Sequence, residues 1–350
     1  MKSLKRVLFL VLTVVMAASL LAGCNSKSST SSDTSGSSDG TALQANVGKD
    51  PNKDTIKIAD IPLSMLGSLN IPVTKAFEEA LSQFPNVEVD RFEAKYDTTT
   101  QISIVNECVA QGYDAIILET ADPAALANAV TAAEDAGIPV ITNNVTCQAV
   151  HTVHVQMSDY QAGQSAAENV AMLCNDTGNV IVLDGPVEQA NVRRMGAGFE
   201  DYIKNNTGMT VLDVQNIANW SQENANTTMR DLLTKHSDIT AVYACGDDMA
   251  LGAIQAITAA GRDTDNIVIW GYVGTEAGLA AIKDGSLSGT NYLDTYQRTI
   301  AQLNVALFCI STGLDATALG LKATPIITMS CPVITKDNVD TYLAINRYAK

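Results

Sequence analysis

The chain has 350 residues, with 38 acidic against 22 basic side chains and a formal charge of −16 at neutral pH. A surface that acidic repels the phosphates of nucleic acid and of anionic lipid headgroups, so neither is expected as a partner. Seven cysteines and three histidines, with no CxxC pair and no Cys/His pairing, point to neither a disulfide framework nor a zinc site, while one adventitious disulfide stays open.

At the N-terminus, Lys2, Lys5 and Arg6 precede an apolar run from Val7 to Ala22. About 16 residues fall short of the ~20 that a membrane-spanning helix needs, and a basic start, a short apolar core and small residues before a cut site make an export signal. The run closes on Leu21-Ala22-Gly23-Cys24, which resembles the lipobox of bacterial lipoproteins. That resemblance implies cleavage after residue 23 and lipidation of the Cys24 thiol, so that the exported chain meets the membrane through its anchor alone. Removing residues 1–23 takes away three cations and no acid, which moves the charge from −16 to −19. Asn25 to Asp39 is almost wholly Ser, Thr, Asn, Asp, Gly and Lys, and residues 24–53 read as a flexible tether that buries no core.

The folded part is expected from near Asp54. About 300 residues remain, enough for two domains of ordinary size with cores that need no staple. Short apolar runs alternate with helical periodicity, the pattern of parallel strands joined by crossover helices. Strands are expected at Thr55–Ile61, Val87–Phe92, Ala115–Leu118, Pro139–Thr142, Asn179–Leu183, Thr210–Val214, Ala241–Ala244 and Ile267–Trp270. Asp122-Pro123 opens a helix with Leu126, Ala129, Val130 and Ala133 on its apolar face and Gly137 at its end; another runs from Asp247 to Ala260 and stops at Gly261. Cys108, Cys174, Cys245 and Cys309 fall in apolar stretches as small hydrophobes, and Cys147 and Cys331 stand apart. The fold class is α/β, with the strands in two doubly wound, Rossmann-like groups. Ligands bind such sheets beyond the carboxyl ends of the strands, here the loops after Ile61, Thr142, Asp184, Ala244 and Tyr272.

No motif for catalysis emerges. His151 and His154 lie three apart in an extended segment and are expected on opposite faces, a poor metal pair. Gly196-Ala197-Gly198 falls inside a helix, where a nucleotide fingerprint has no meaning. The chain reads as a non-enzyme without a cofactor.

The stretches GYDAIILETADPAALANAVTAAEDAGIPVIT, RRMGAGFEDYI, MRDLLTKHSDITAVYACGDDMALGAIQAITAAG, IVIWGYVGTEAGLAAIKDGSLSGT and TPIITMSCPVITKDNVDTY together resemble the ribose- and galactose-type, or type I, periplasmic binding proteins of sugar ABC transporters. The resemblance spans nearly the whole exported chain. It implies two Rossmann-like lobes joined by three crossover strands, one formed by residues 54–156 with 294–322 and the other by 157–293 with 323–350. It further implies that a small carbohydrate-like ligand is captured between the lobes by hinge closure and handed to an ABC permease, and a monomer is expected. A sensor of the same fold that signals to a histidine kinase or chemoreceptor stays open as an alternative, as do nucleoside and furanone ligands.

By the same resemblance, Asn143 and Asn144 stand where relatives carry polar ligand contacts. Asn70 shares a cleft-directed loop with Met65, Leu66 and Ser68. Arg193, with Arg194 as the competing assignment, occupies the place of a guanidinium that forks onto sugar oxygens. Trp220 matches an aromatic that stacks on a sugar face, whereas Trp270 is assigned to the core. Three departures stand out: Gly246 in place of an Asn before Asp247, Val273 in place of an Asp, and Leu293 in place of a Gln or Asn. A polyol buried against such a wall would leave hydroxyls unsatisfied. Asp247, Asp60 and Asp294 are the remaining candidate acceptors, and the ligand expected is partly apolar: a glycoside, a nucleoside, a deoxygenated sugar or a furanone.

Overall fold

The structure, a computed structural model, describes residues 48–66, 69–186 and 190–345; the export signal, Cys24, most of the tether and Ser68 lie outside the described residues. The first half contains β1 (Ile56–Ile61), α1 (Asn70–Leu81), β2 (Val87–Arg91), α2 (Thr98–Gln111), β3 (Ala115–Leu118), α3 (Ala127–Asp135), β4 (Val140–Asn143) and β5 (Val153–Met157). There follow α4 (Asp159–Leu173), β6 (Thr177–Asp184), α5 (Ala190–Asn206), β7 (Gly208–Asn216), α6 (Gln222–Lys235), β8 (Ala241–Ala244), α7 (Asp247–Ala259), β9 (Val268–Val273), α8 (Glu276–Asp284) and β10 (Gly289–Tyr292). The chain then forms α9 (Thr295–Thr312), β11 (Ile326–Met329), β12 (Val333–Thr335) and α10 (Val339–Ile345).

These strands make two six-stranded sheets, β11-β5-β4-β3-β1-β2 and β12-β10-β9-β8-β6-β7. All pairs are parallel except β10 with β12. Parallel strands are covered on both faces, which is why β3 (Ala-Ile-Ile-Leu) and β8 (Ala-Val-Tyr-Ala) are buried at every residue. The chain passes between sheets after Met157, after Tyr292 and after Met329. The expected division at 322/323 therefore needs moving, because β11 adds to the first sheet beside β5 and only β12 returns to the second.

Two further expectations shift for local reasons. Asp122 does accept the N–H groups of Ala124 and Ala125, at 2.9 and 3.0 Å, but Pro123–Leu126 form a turn and regular helix begins at Ala127. Residues 48–53, assigned to the tether by composition, are pinned to the first lobe: the Lys49 N–H donates to the Ile310 carbonyl at 3.1 Å, and Lys49 pairs with Asp114 at 2.5 Å. The Ile310 carbonyl belongs to the last turn of α9, where no intrahelical donor reaches it.

In the second lobe, α4 and α5 pack backbone to backbone. A Cβ on Gly163 would lie 2.0 Å from the Met195 carbonyl oxygen, and one on Gly198 would lie 2.1 Å from that of Tyr160. The glycine run that mimics a nucleotide loop is thus a helix contact. Trp270 is fully buried in this lobe, and its Nε1–H donates to Asn291 Oδ1 at 2.8 Å.

Candidate functional site

A cleft of about 380 Å³ opens between the lobes at the carboxyl ends of both sets of strands. Its first-lobe wall is polar. At the end of β1, Asp60 accepts from Arg91 Nε at 2.7 Å, and the same guanidinium donates to Asn70 Oδ1 at 2.9 Å and to Thr74 Oγ1 at 3.0 Å. Burial pushes the Asp60 carboxyl above its ordinary range, and Arg91 opposes that shift. Asn70 also spends its amide on the Ser64 and Leu66 carbonyls, at 3.0 and 3.3 Å, so this predicted ligand contact is occupied in holding its own loop.

A second polar group gathers after β3 and β4. Asn144, at φ +54, donates to Glu119 Oε1 at 2.6 Å and accepts from Arg298 Nη1 of α9. Asn143, the last residue of β4, is only 7% exposed, Arg298 6% and Gln302 2%, and all three line the cleft. Asn143 Oδ1, Arg298 Nε and Gln302 Nε2 are buried without a hydrogen-bond partner among the described residues.

The second-lobe wall sets an apolar patch beside the polar side chains of Asp159, Asn191, Asp247 and Asp248. Trp220 ends a 3-10 turn in which Asn219 and Trp220 both take left-handed backbone, at φ +58 and +54. Its ring lies over Gly185, where a Cβ would come within 2.5 Å of Cη2, and beside Gly246, where one would sit 3.6 Å from Cε3. Gly246 has extended backbone that any residue adopts, so its missing side chain leaves room in the cleft rather than serving the turn. Met195, Val273 and Leu293 complete the wall, and Leu66, 81% exposed, reaches it from the first lobe. Val273 sits at φ +106, a costly conformation for a β-branched residue that is kept only where the surroundings impose it.

Several expected contacts are placed elsewhere. Arg193 is exposed on α5 and is not among the cleft-lining residues; Asn191 and Met195, one turn apart, face the cleft instead. Arg194 pairs with Asp159 at 2.5 Å, and that carboxylate lines the cleft with its pKa raised by burial against the pull of Arg194. Asp247 lines the cleft, yet its Oδ1 accepts from Thr290 Oγ1 at 2.7 Å and its Oδ2 from the Thr275 N–H at 2.6 Å. Burial lifts it to about 6. Asp294 caps α9 through the Gln297 N–H at 2.9 Å and is not a lining residue.

Arg298, Gln302, Glu119 and Asp159 were missed in the sequence. One signal was available, since Arg298 is the sole charged residue in the 18 of α9. His151 and His154 do not point apart as strand alternation predicts, because residues 151 and 152 precede β5. Both imidazoles meet the Thr142 hydroxyl, at 2.7 and 2.9 Å, directly behind Asn143. His151 Nδ1 donates to the Ala149 carbonyl, so its Nε2 accepts from Thr142, which in turn accepts from His154 Nδ1–H.

Two matched lobes that cross three times and share one cleft at their strand ends define a solute-binding receptor that closes about a hinge. The sequence signature described as periplasmic binding protein domain matches residues 68–307, and this chain belongs to that family. The xylitol-binding protein of Mycolicibacterium smegmatis is 31% identical over 293 residues, covering 83% of this chain and 80% of that protein. The ribose import binding protein of Bacillus subtilis is 33% identical over 199 residues, 57% of this chain and 63% of its own length. An ABC transporter solute binding protein from Bacillus halodurans, solved with bound myo-inositol, superposes with a TM-score of 0.70 at 27% identity, over 83% of this chain and 98% of that one.

Proposed function

We propose that this chain is an exported, lipid-anchored receptor that captures a small carbohydrate-like molecule between its lobes and delivers it to an ABC importer. The observation that carries the reading is the two-faced cleft, with the hydrogen-bonding side chains of Asp60, Arg91, Glu119 and Asn144 set against Trp220, Met195, Val273 and Leu293. Sugars and polyols have that chemistry, hydroxyls on their edges and C–H groups on their faces. The names of the relatives that bind xylitol and ribose support a polyhydroxylated ligand. A ligand that touches both walls favours the closed arrangement by its difference in affinity for the two states, and only that difference drives closure. The anchor is supported by Leu21-Ala22-Gly23-Cys24.

Thermal unfolding of the lipid-free chain (Cys24→Ala) with xylitol, ribose, allose, myo-inositol, glycosides and nucleosides tests this. A ligand at a hundred times its dissociation constant adds about 2.7 kcal/mol to stability. No shift with any member would overturn the reading.

A further inference from the structure

We propose that Glu93, just past the end of β2 and outside the cleft lining, is a positioning residue for ligand capture. With Asn70 it holds the rim segment 63–66 and the turn at residues 95 and 96 in their binding shape before a ligand arrives. The inference rests on the carbohydrate reading and adds to it a residue that touches no ligand.

Segment 63–66 belongs to no helix or strand, so its backbone polar groups have no ladder to join. Each of its residues is nevertheless tied. The Leu63 carbonyl accepts from the Tyr96 N–H at 2.8 Å. The Asn70 amide donates to the Ser64 and Leu66 carbonyls, and the Met65 N–H donates to Glu93 Oε2 at 2.8 Å. The other carboxylate oxygen, Oε1, accepts from the Lys95 N–H, also at 2.8 Å. One carboxylate thus clips together two segments that are distant in sequence. Arg91 Nη2 holds Asn70 Oδ1, which turns the amide nitrogen of Asn70 toward the loop.

Two features separate this tying from ordinary loop packing. Leu66 and Tyr96 line the cleft and are 81% and 68% exposed, and neither they nor Leu63 and Met65 join a buried apolar cluster. A loop held only for the sake of the core would turn its large apolar side chains inward. Lys95 and Tyr96 are moreover consecutive left-handed residues, at φ +53 and +59, a conformation that such large side chains keep only where the surroundings impose it. The bonds that impose it are the two just described, Lys95 to Glu93 and Tyr96 to Leu63. Apolar groups fixed at the mouth of the cleft form a contact surface made in advance, and binding then has less to order. Where the competent shape is populated only in part, apparent affinity falls by that fraction.

Stopped-flow binding to the lipid-free chain tests the proposal, with xylitol, D-ribose, D-allose and myo-inositol as probes and rates read on the one that binds most tightly. Glu93→Ala is expected to lower the association rate about tenfold, a competent fraction of roughly one in ten, with the dissociation rate and the melting point of the free protein nearly unchanged. Glu93→Gln keeps one acceptor oxygen and is expected to fall between the two. Leu66→Ala removes a contact rather than its support and is expected to raise the dissociation rate instead. Hydrogen exchange needs no ligand: the Met65 and Lys95 amides are expected to be protected in the unsubstituted chain and to exchange freely in Glu93→Ala. Binding rates in Glu93→Ala equal to those of the unsubstituted chain, or unprotected Met65 and Lys95 amides in the latter, overturn the inference alone. A raised dissociation rate with unchanged association makes Glu93 a ligand contact and overturns it as well. A lowered melting point with unchanged rates assigns Glu93 to the fold, with the same result. Silence of every probe overturns the carbohydrate reading and the inference with it.

Discussion

On the first lobe the strand ends carry Asp60, Arg91, Glu119 and Asn144, bonded into two small networks, whereas on the second the matching strand ends carry Gly246, Val273 and Leu293 under Trp220. Both lobes use the same strand order. The scaffold therefore sets where side chains meet a ligand, and the residues just beyond each strand set what they can say to it. The contrast continues below the surface. The first lobe buries the imidazoles of His151 and His154 and the second the carboxyl of Asp247, and acid acts on those two kinds of group in opposite senses.

The largest effect expected comes from that contrast. Burial, with the charges of Arg194 and Arg298 and the neighbouring imidazole of His151 adding to it, lowers His154 from 6.5 to about 4. In the window between those values the unfolded chain takes the proton and the folded chain does not, so stability is lost as pH falls from 6.5 to 4, by roughly 3 kcal/mol in all. Urea unfolding at stepwise lower pH should show this slope in the wild-type chain and a flatter one in His154→Phe; equal slopes would break the link between the first lobe and acid lability. Asp247 works the other way. Its folded value, about 6 against 3.8, makes the folded state the stronger proton binder, so its cost at neutral pH is relieved as pH falls through 6.

Asp247 also yields the next effect in size. Asp247→Ala orphans the Thr275 N–H and the Thr290 hydroxyl and should destabilise the chain by about 1–3 kcal/mol. Asp247→Asn can accept from one and donate to the other, and it should hold stability at pH 7 while removing the relief below pH 6. Loss of ligand affinity without loss of stability in Asp247→Asn would give this residue a direct part in binding.

How much of this was legible in the sequence depends on the distance over which each feature is encoded. Fully buried parallel strands such as β3 and β8 are local apolar runs and read directly. Asn143, Asn144, Trp220, Gly246, Val273 and Leu293 line the cleft because residues beyond strand ends in this topology must. Arg193 does not, since which face of α5 meets the cleft is decided by how α4 packs on Gly198. Arg298 and Gln302 were hidden for a similar reason: they sit within a helix, and only the passage of the chain from β10 back to the first lobe turns that helix toward the site. The meeting of His151 and His154 on Thr142 depends on the irregular residues ahead of β5, which strand periodicity cannot describe.

The walls themselves can be compared by substitution. Trp220→Ala should weaken ligand binding about tenfold, 1.4 kcal/mol, with a smaller cost to the free protein, because the ring is half-buried and packs at the edge of the second-lobe core. Asn143→Leu on the opposite wall should weaken it by a similar amount while raising the stability of the free chain. If only the polar substitution acts, the aromatic wall is packing and the cleft is one-sided.

The smallest effect is the most telling about the apolar wall. Val273 holds φ +106, where glycine is at ease and a branched side chain is strained by about 1–3 kcal/mol. Val273→Gly removes that strain but adds ~0.5–1 kcal/mol of chain entropy to be lost on folding and gives up the packing of the isopropyl group on the second-lobe core, so the free protein should change by less than about 1 kcal/mol. Ligand affinity should fall at the same time, because the isopropyl group no longer lines the cleft beside Leu293. A stabilised variant that binds as well as the wild type would mean that the strain serves the closing of the lobes rather than the wall, and the comparison between polar and apolar walls would then rest on Trp220, Met195 and Leu293 alone.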